Sequence, residues 1–467
     1  MLEGGGIVPR VVLLPLVDSA RLVRALGRVE FQVGDQRCSG VGVVNSSADV
    51  PNYGELPMPE TDKDSPLKAA FDPVAPEKRI DSLDILRGFA LLGVLWMNVP
   101  QHVGGPIDKI FDQMSNLLAT GKFITIFGFL FGVGFSLQWM RATAHGRWPT
   151  VHSSRRLLVL FVIGAVHSVF VWDGDVLTLY ALMGVYLLVV QRLHLSQRTI
   201  LTVALCILAV IAVRDEVGLT RRITRELGVA TYVDITGTQL RERLQRMADE
   251  EMQTYTTISY TQGVRERWEG LRDWLRSRET YIPGEVFVYF LLGLWAAGSG
   301  LFRDVRSHRR LLHRILWWGF PLGVALFLGK FVSSRLLYSG HNTWLVDSVF
   351  RGGEMIGRPI LGLTYVAAIL LLLQHERWLH RLGPLRYVGR MALTNYLMQS
   401  LVFTVVSYSF GFGLYARLTG VTALLYTVVF FTAQVYLSRW WLSRFRFGPV
   451  EWVWRSLTYG VLMPLRA

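Results

Sequence analysis

His167-Ser168-Val169-Phe170-Val171-Trp172-Asp173-Gly174-Asp175-Val176 is the stretch on which the fold turns. The apolar run Leu157–Val171 leads into it and the apolar run Val176–Val190 leaves it, with only Trp172, Asp173, Gly174 and Asp175 between. Each run approaches the ~20 residues that cross a bilayer as a helix. Two such runs joined by a glycine between two carboxylates read as a transmembrane hairpin with its turn in water.

The same period recurs outward from the hairpin. Before it come Ile85–Val99 and Phe123–Met140, and after it Ile200–Val213. A second group follows at Val286–Phe302, Ile315–Phe331, Ile360–Leu373, Asn395–Phe412 and Thr422–Leu442. The composition agrees: the 467 residues are 51% hydrophobic and 18% charged, whereas soluble domains carry roughly 25% charged residues. The fold class is therefore all-α, a polytopic membrane bundle of about ten transmembrane helices. The net charge of +14 belongs to loops between apolar runs, so nucleic acid is not an expected partner and membrane lipid is. With Cys38 and Cys206 alone, neither a disulfide framework nor a cysteine zinc site is expected.

Four regions follow. Residues 1–77 are acid-rich and Pro-spaced, and read as a disordered tail or an over-long start with the initiator at Met58. Residues 78–213 hold five apolar runs, 214–283 form a long polar connection, and 284–467 hold five more. Alternate loops carry Arg141, Arg147, Arg155 and Arg156, then Arg192 and Arg198, then Arg303 to Arg314, then Arg377 to Arg390. The intervening short loops hold only Lys109, Lys122, Arg335, Arg351, Arg358 and Arg417. This bias predicts both termini on the cytoplasmic side, with the long connection outside. Inside that connection Val264, Trp268, Leu271 and Leu275 share one helical face. They predict an amphipathic helix that either rests on the outer surface or covers an outward-facing site.

Ionisable groups inside the apolar runs are the functional candidates, because hydrocarbon penalises them. Asp84 and Arg87 can pair on one face, as a structural ion pair or as a contact for an anion such as phosphate. Asn98 ends the same helix and His102 follows it. His167 lies about one and a half turns below Asp173 and Asp175. Either the acids cap the turn while His167 bonds a carbonyl, or a carboxylate orients His167 as a general base. Metal-ligand spacing is not seen. Gly128 and Gly132 form a GxxxG pair suited to close helix packing, and Lys122 precedes them as a binding candidate. Arg390, before the helix that starts near Asn395, offers a positive end to an anion or to lipid phosphate. Gly448 to Arg455 has the Trp/Arg spacing of a surface helix.

The phrases Asp84–Gly88, Lys122–Gly134, His167–Asp175, Gly389–Tyr396 and Gly448–Arg455 together resemble the bacterial YeiB family, whose C-terminal half is called DUF418. The resemblance runs from about Arg79 to Tyr459. It implies a multi-pass protein of the bacterial cytoplasmic (inner) membrane, related to transmembrane acyltransferases. A cytoplasmic acyl-CoA would be the donor substrate, with no bound cofactor, and an unidentified extracytoplasmic hydroxyl or amine the acceptor. Arg87, Arg390 and the basic loops would meet the CoA phosphates. The relatives' catalytic histidine follows Asn98 at a spacing His102 does not match, so His167 ranks above His102. A transporter or exporter of a small or lipid-like solute is the alternative, against which stands the lack of an internal repeat. A homo-oligomer is compatible with either.

Overall fold

The computed structural model describes residues 80–99, 105–144, 149–227, 246, 255–276, 281–338, 344–415 and 417–466. The 1–77 tail, His102, Arg147 and most of 228–254 lie outside them. The helices are α1 Asp81–Asn98, α2 Pro106–Leu118, α3 Lys122–Ala144, α4 Pro149–Phe170, α5 Leu177–Arg192 and α6 Gln197–Leu227. They continue with α7 Tyr260–Arg276, α8 Tyr281–Gly298, α9 Arg309–Tyr338 and α10 Trp344–Leu372. The chain ends in α11 Glu376–Leu382, α12 Leu385–Arg390, α13 Ala392–Ser407, α14 Gly420–Leu442 and α15 Pro449–Tyr459. Among the described residues the only β pairing is one isolated bridge, Phe445 with Arg466.

All ten expected apolar runs are helices. Among the described residues, five segments are long and apolar enough to span outright: Pro106–Ala144, Pro149–Phe170, Arg309–Gly329, Gly352–Leu372 and Gly420–Leu442. Four shorter apolar helices, Leu177–Arg192, Gln197–Ala212, Gly284–Gly298 and Ala392–Ser407, complete the set with α1, whose Asp81, Asp84 and Arg87 lower its apolarity. The protein is a multi-pass membrane protein.

Several boundaries differ from the sequence expectation. Lys122 and Arg358 are not loop residues: Lys122 opens α3 and Arg358 lies within α10. The fifth run continues past Val213 to Leu227. A short helix, α2, replaces part of the loop expected outside, with Ile107 and Ile110 exposed as on an interfacial helix. Its Asp108 accepts from Gly105 N and from Gly420 N, tying it to its own start and to α14.

Helix α7 forms as expected, and its apolar stripe packs inward only in part. Gly263, Arg267, Gly270 and Leu271 are buried, while Trp268 and Leu275 are 55% and 46% exposed. The reason is a hydrogen bond. Arg267 Nε donates to Val169 O at 2.8 Å, one of the last carbonyls of α4 that no helical N–H can reach. Glycines on that face admit the close approach, with Leu271 buried beside them and Trp268 and Leu275 left facing outward.

Packing follows the small residues. A Cβ at Gly132 would strike Phe290 O, and one at Gly293 would strike Phe129 O, so α3 and α8 cross nearly backbone to backbone. Beside the crossing Phe131 stacks on Phe290 at 4.5 Å. Helix α4 packs on α5, α9 on α10, and α12 on α1.

Candidate functional site

At the hairpin, α4 ends and the chain reverses within six residues before α5 begins. Three side chains from two other helices, α7 and α13, cap the exposed carbonyls. Arg267 reaches Val169 O, Tyr260 Oη donates to Phe170 O at 3.0 Å, and Thr404 Oγ1 donates to Val171 O at 3.3 Å. The start of α5 is held by Asp175, whose Oδ2 accepts from Thr178 N at 2.8 Å and Thr178 Oγ1 at 2.9 Å. A Cβ at Gly164 would meet Thr178 N at 2.5 Å, so only glycine lets α4 pass this turn.

The second oxygen of Asp175 settles a choice left open by the sequence. His167 Nδ1 lies 2.9 Å from Asp175 Oδ1, with His167 and Asp175 only 4% and 5% exposed. One carboxylate therefore both caps α5 and orients the imidazole; the histidine does not bond a carbonyl instead. Against an ionised carboxylate, Nδ1 carries the proton and Nε2 keeps its lone pair. Nε2 is buried and has no hydrogen-bond partner. Asp173 takes a different place. Its Oδ2 accepts from Tyr255 Oη at 3.4 Å, its Oδ1 is buried without a partner, and it makes no bond to His167.

Tyr396, which no sequence argument singled out as a site residue, joins this pair to open space. Its ring centroid lies 5.5 Å from that of His167, and its hydroxyl accepts from Val176 N at 3.2 Å. It is a wall of two adjoining small cavities. The larger, a cavity of about 30 Å³, is also lined by Asn98, Gly174, Val176 and Tyr180; the smaller adds Trp172, Gln399, Ser400 and Phe403. Asn98 lines both, so the end of α1 meets the hairpin here. His102 falls outside the described residues.

The remaining candidates lie elsewhere. Arg87 Nη1 pairs with Asp84 Oδ1 at 2.8 Å, in the first turns of α1 and far along that helix from Asn98. Lys122 is fully buried, donates to Asn116 O at 2.6 Å and lies 4.1 Å from the Phe327 ring centroid. Arg390 closes α12. The positive helix end beside it is already occupied: Glu451 Oε1 accepts from Leu393 N at 2.7 Å and Thr394 N at 3.0 Å, and Oε2 from Thr394 Oγ1. Helix α15 thus caps α13 with its own carboxylate, and burial pushes that carboxyl up from the ordinary glutamate range.

Two polar networks escaped the sequence reading. Gln399 Nε2 donates to Gln434 Oε1 at 2.8 Å, and Asn395 Nδ2 to Ser438 Oγ at 3.0 Å, lacing α13 to α14. Glu354 pairs with Arg358 at 2.8 Å, and Tyr289 donates to Glu285. Their signal is polar residues four apart in apolar helices.

Residues 296–461 match the family described as "Protein of unknown function (DUF418)". The chain is 29% identical over 431 residues to the uncharacterized protein YxaH of Bacillus subtilis (strain 168), covering 85% of this chain and 98% of that protein. It is 28% identical over 403 residues to an uncharacterized 39.9 kDa protein in the amylase 3' region of Bacillus acidopullulyticus, with coverage of 85% and 98%. It is 25% identical over 422 residues to the uncharacterized protein YeiB of Escherichia coli (strain K12), with coverage of 82% and 97%. No solved structure matches the chain. The likeness to DUF418 in the C-terminal part, and to these bacterial proteins over nearly their whole length, supports assignment of the chain to the YeiB/DUF418 family.

Proposed function

We propose that the protein is an acyltransferase of the bacterial inner membrane that moves an acyl group from a cytoplasmic CoA thioester to an extracytoplasmic hydroxyl or amine. The observation that carries the reading is the buried His167–Asp175 pair, whose imidazole leaves Nε2 unpartnered. A purely structural histidine would normally satisfy both nitrogens, since a buried unsatisfied polar atom costs about 1–3 kcal/mol. In the proposed reaction Nε2 takes the proton of the acceptor as its oxygen or nitrogen attacks the thioester carbonyl. The C–S bond breaks as the tetrahedral intermediate collapses, and CoA leaves as the thiol after taking up a proton. Asp175 stabilises the imidazolium meanwhile. Asn98, which lines both cavities, binds the acceptor. The choice of CoA as donor rests on the family resemblance, and the basic loops support a cytoplasmic side for both termini.

The test uses membranes containing the full chain, acetyl-CoA as donor, and a thiol reagent to read CoA release. Wild-type membranes should exceed empty-vector membranes, and His167→Gln should lower the excess by about 10²- to 10⁴-fold, the usual value of one positioned base. Undiminished release in folded His167→Gln overturns the base. Solute flux without CoA release would make the protein a transporter.

A further inference from the structure

Gly134 and Gln138 lie one turn apart on the same face of α3, at the end of the bundle where α1 begins. Two arginines from different helices come to this face. Arg87 of α1 passes over Gly134, where a Cβ would stand 3.3 Å from its Nη2. Arg156 of α4 donates through Nη1 to Gln138 Oε1.

A third arrives from the C-terminal helix. Trp454 Nε1 donates to Arg156 O at 3.0 Å, and the Arg156 guanidinium stacks 4.3 Å from the Trp454 ring centroid. The next residue of α15, Arg455, stacks 4.7 Å from the Phe447 ring centroid, and both it and Arg87, which keeps Asp84 as a partner, are near enough to act on the charge of Arg156. Three guanidiniums from stretches distant in sequence therefore converge beside an apolar bundle. Like charges repel, and partial burial strengthens that repulsion. A bundle needing only helix packing has no reason to gather them. Planar forks converging from three directions, one of them fixed by an aromatic face, are the geometry that recognises phosphate.

We propose that Arg87, Arg156 and Arg455 form a binding site for a phosphate-bearing ligand. The phosphate belongs either to a nucleotide-like molecule such as CoA or to the headgroup of an anionic phospholipid. As a phosphate site it stands on this geometry; as the anchor of the acyl donor it rests on the acyl-transfer reading.

The experiment measures binding to the purified full chain by isothermal titration. One arm uses detergent micelles with CoA, 3'-dephospho-CoA and pyrophosphate. The other compares thermal stability in phosphatidylcholine nanodiscs with and without phosphatidylglycerol. Arg455→Gln is the first variant; Arg156→Lys is the second, keeping the charge while losing the fork. CoA binding that weakens at least tenfold in both variants, and with rising salt, supports the site with a nucleotide ligand. No CoA binding, but a phosphatidylglycerol stabilisation lost in both variants, supports it with a lipid ligand and removes the donor role. CoA binding equal in wild type and folded variants overturns the site while leaving acyl transfer standing. No response to any probe overturns it as well.

Discussion

Asp175 has two separable jobs, and two substitutions separate them. Asp175→Ala removes the acceptor of His167 Nδ1 and the cap on Thr178 N and Oγ1 together. A lost cap costs about 1 kcal/mol, and the buried donors left unsatisfied cost about 1–3 kcal/mol each. Allowing partial relaxation, the total should be about 3–5 kcal/mol. Asp175→Asn keeps one oxygen for Thr178, so its stability loss should stay near 1 kcal/mol. Its amide, however, must donate to His167. The imidazole then presents its Nδ1 lone pair and carries its proton on Nε2, the wrong tautomer for a base. In a serine-protease triad the corresponding change costs about 10⁴ in rate, and a loss between about 10² and 10⁴ is expected here. Reversible unfolding in mixed detergent micelles gives the stabilities, and CoA release gives the rates. The reasoning fails if Asp175→Ala unfolds at the wild-type free energy, or if Asp175→Asn transfers acyl groups at full rate.

The Glu451 cap gives a pH signature. Its folded pKa is raised by burial, so its stabilising contribution is fully present below the unfolded value of ~4.3 and fades as pH rises through the folded value. Unfolding of wild type compared with Glu451→Gln should show this loss across that window, and parallel pH profiles would refute it. Orientation can be read directly. With Cys38 and Cys206 changed to serine, Thr261→Cys at the exposed start of α7 should react with an impermeant maleimide in intact cells; labelling only after lysis would invert the proposed topology.

Spacing of apolar runs was enough to read ten helices, because a bilayer imposes length and composition on each segment separately. Which face of α7 packs against the bundle was not legible, for the opposite reason. Its inward side was chosen by Arg267 seeking a carbonyl on another helix, which hydrophobic periodicity cannot foresee. Lys122 and Arg358 were misplaced because the loop count assumes that charges leave the bundle, whereas both are kept inside with local partners.

The sequence by itself determined the class, the hairpin and most of the residues that meet there: His167, Asp175 and Asn98. Local rules sufficed, since polar groups in hydrocarbon and glycine between acids are unusual wherever they occur. Only the tertiary structure decided which carboxylate serves the histidine, that Tyr396 adjoins it, and that Glu451 fills the anion site expected beside Arg390. It also explained why distant motifs belong together. A Cβ at Gly88 would strike Leu385 O and one at Gly389 would strike Asp84 O, so each phrase supplies the space the other needs. Such reciprocity depends on distances between helices, and spacing along one chain carries no record of them.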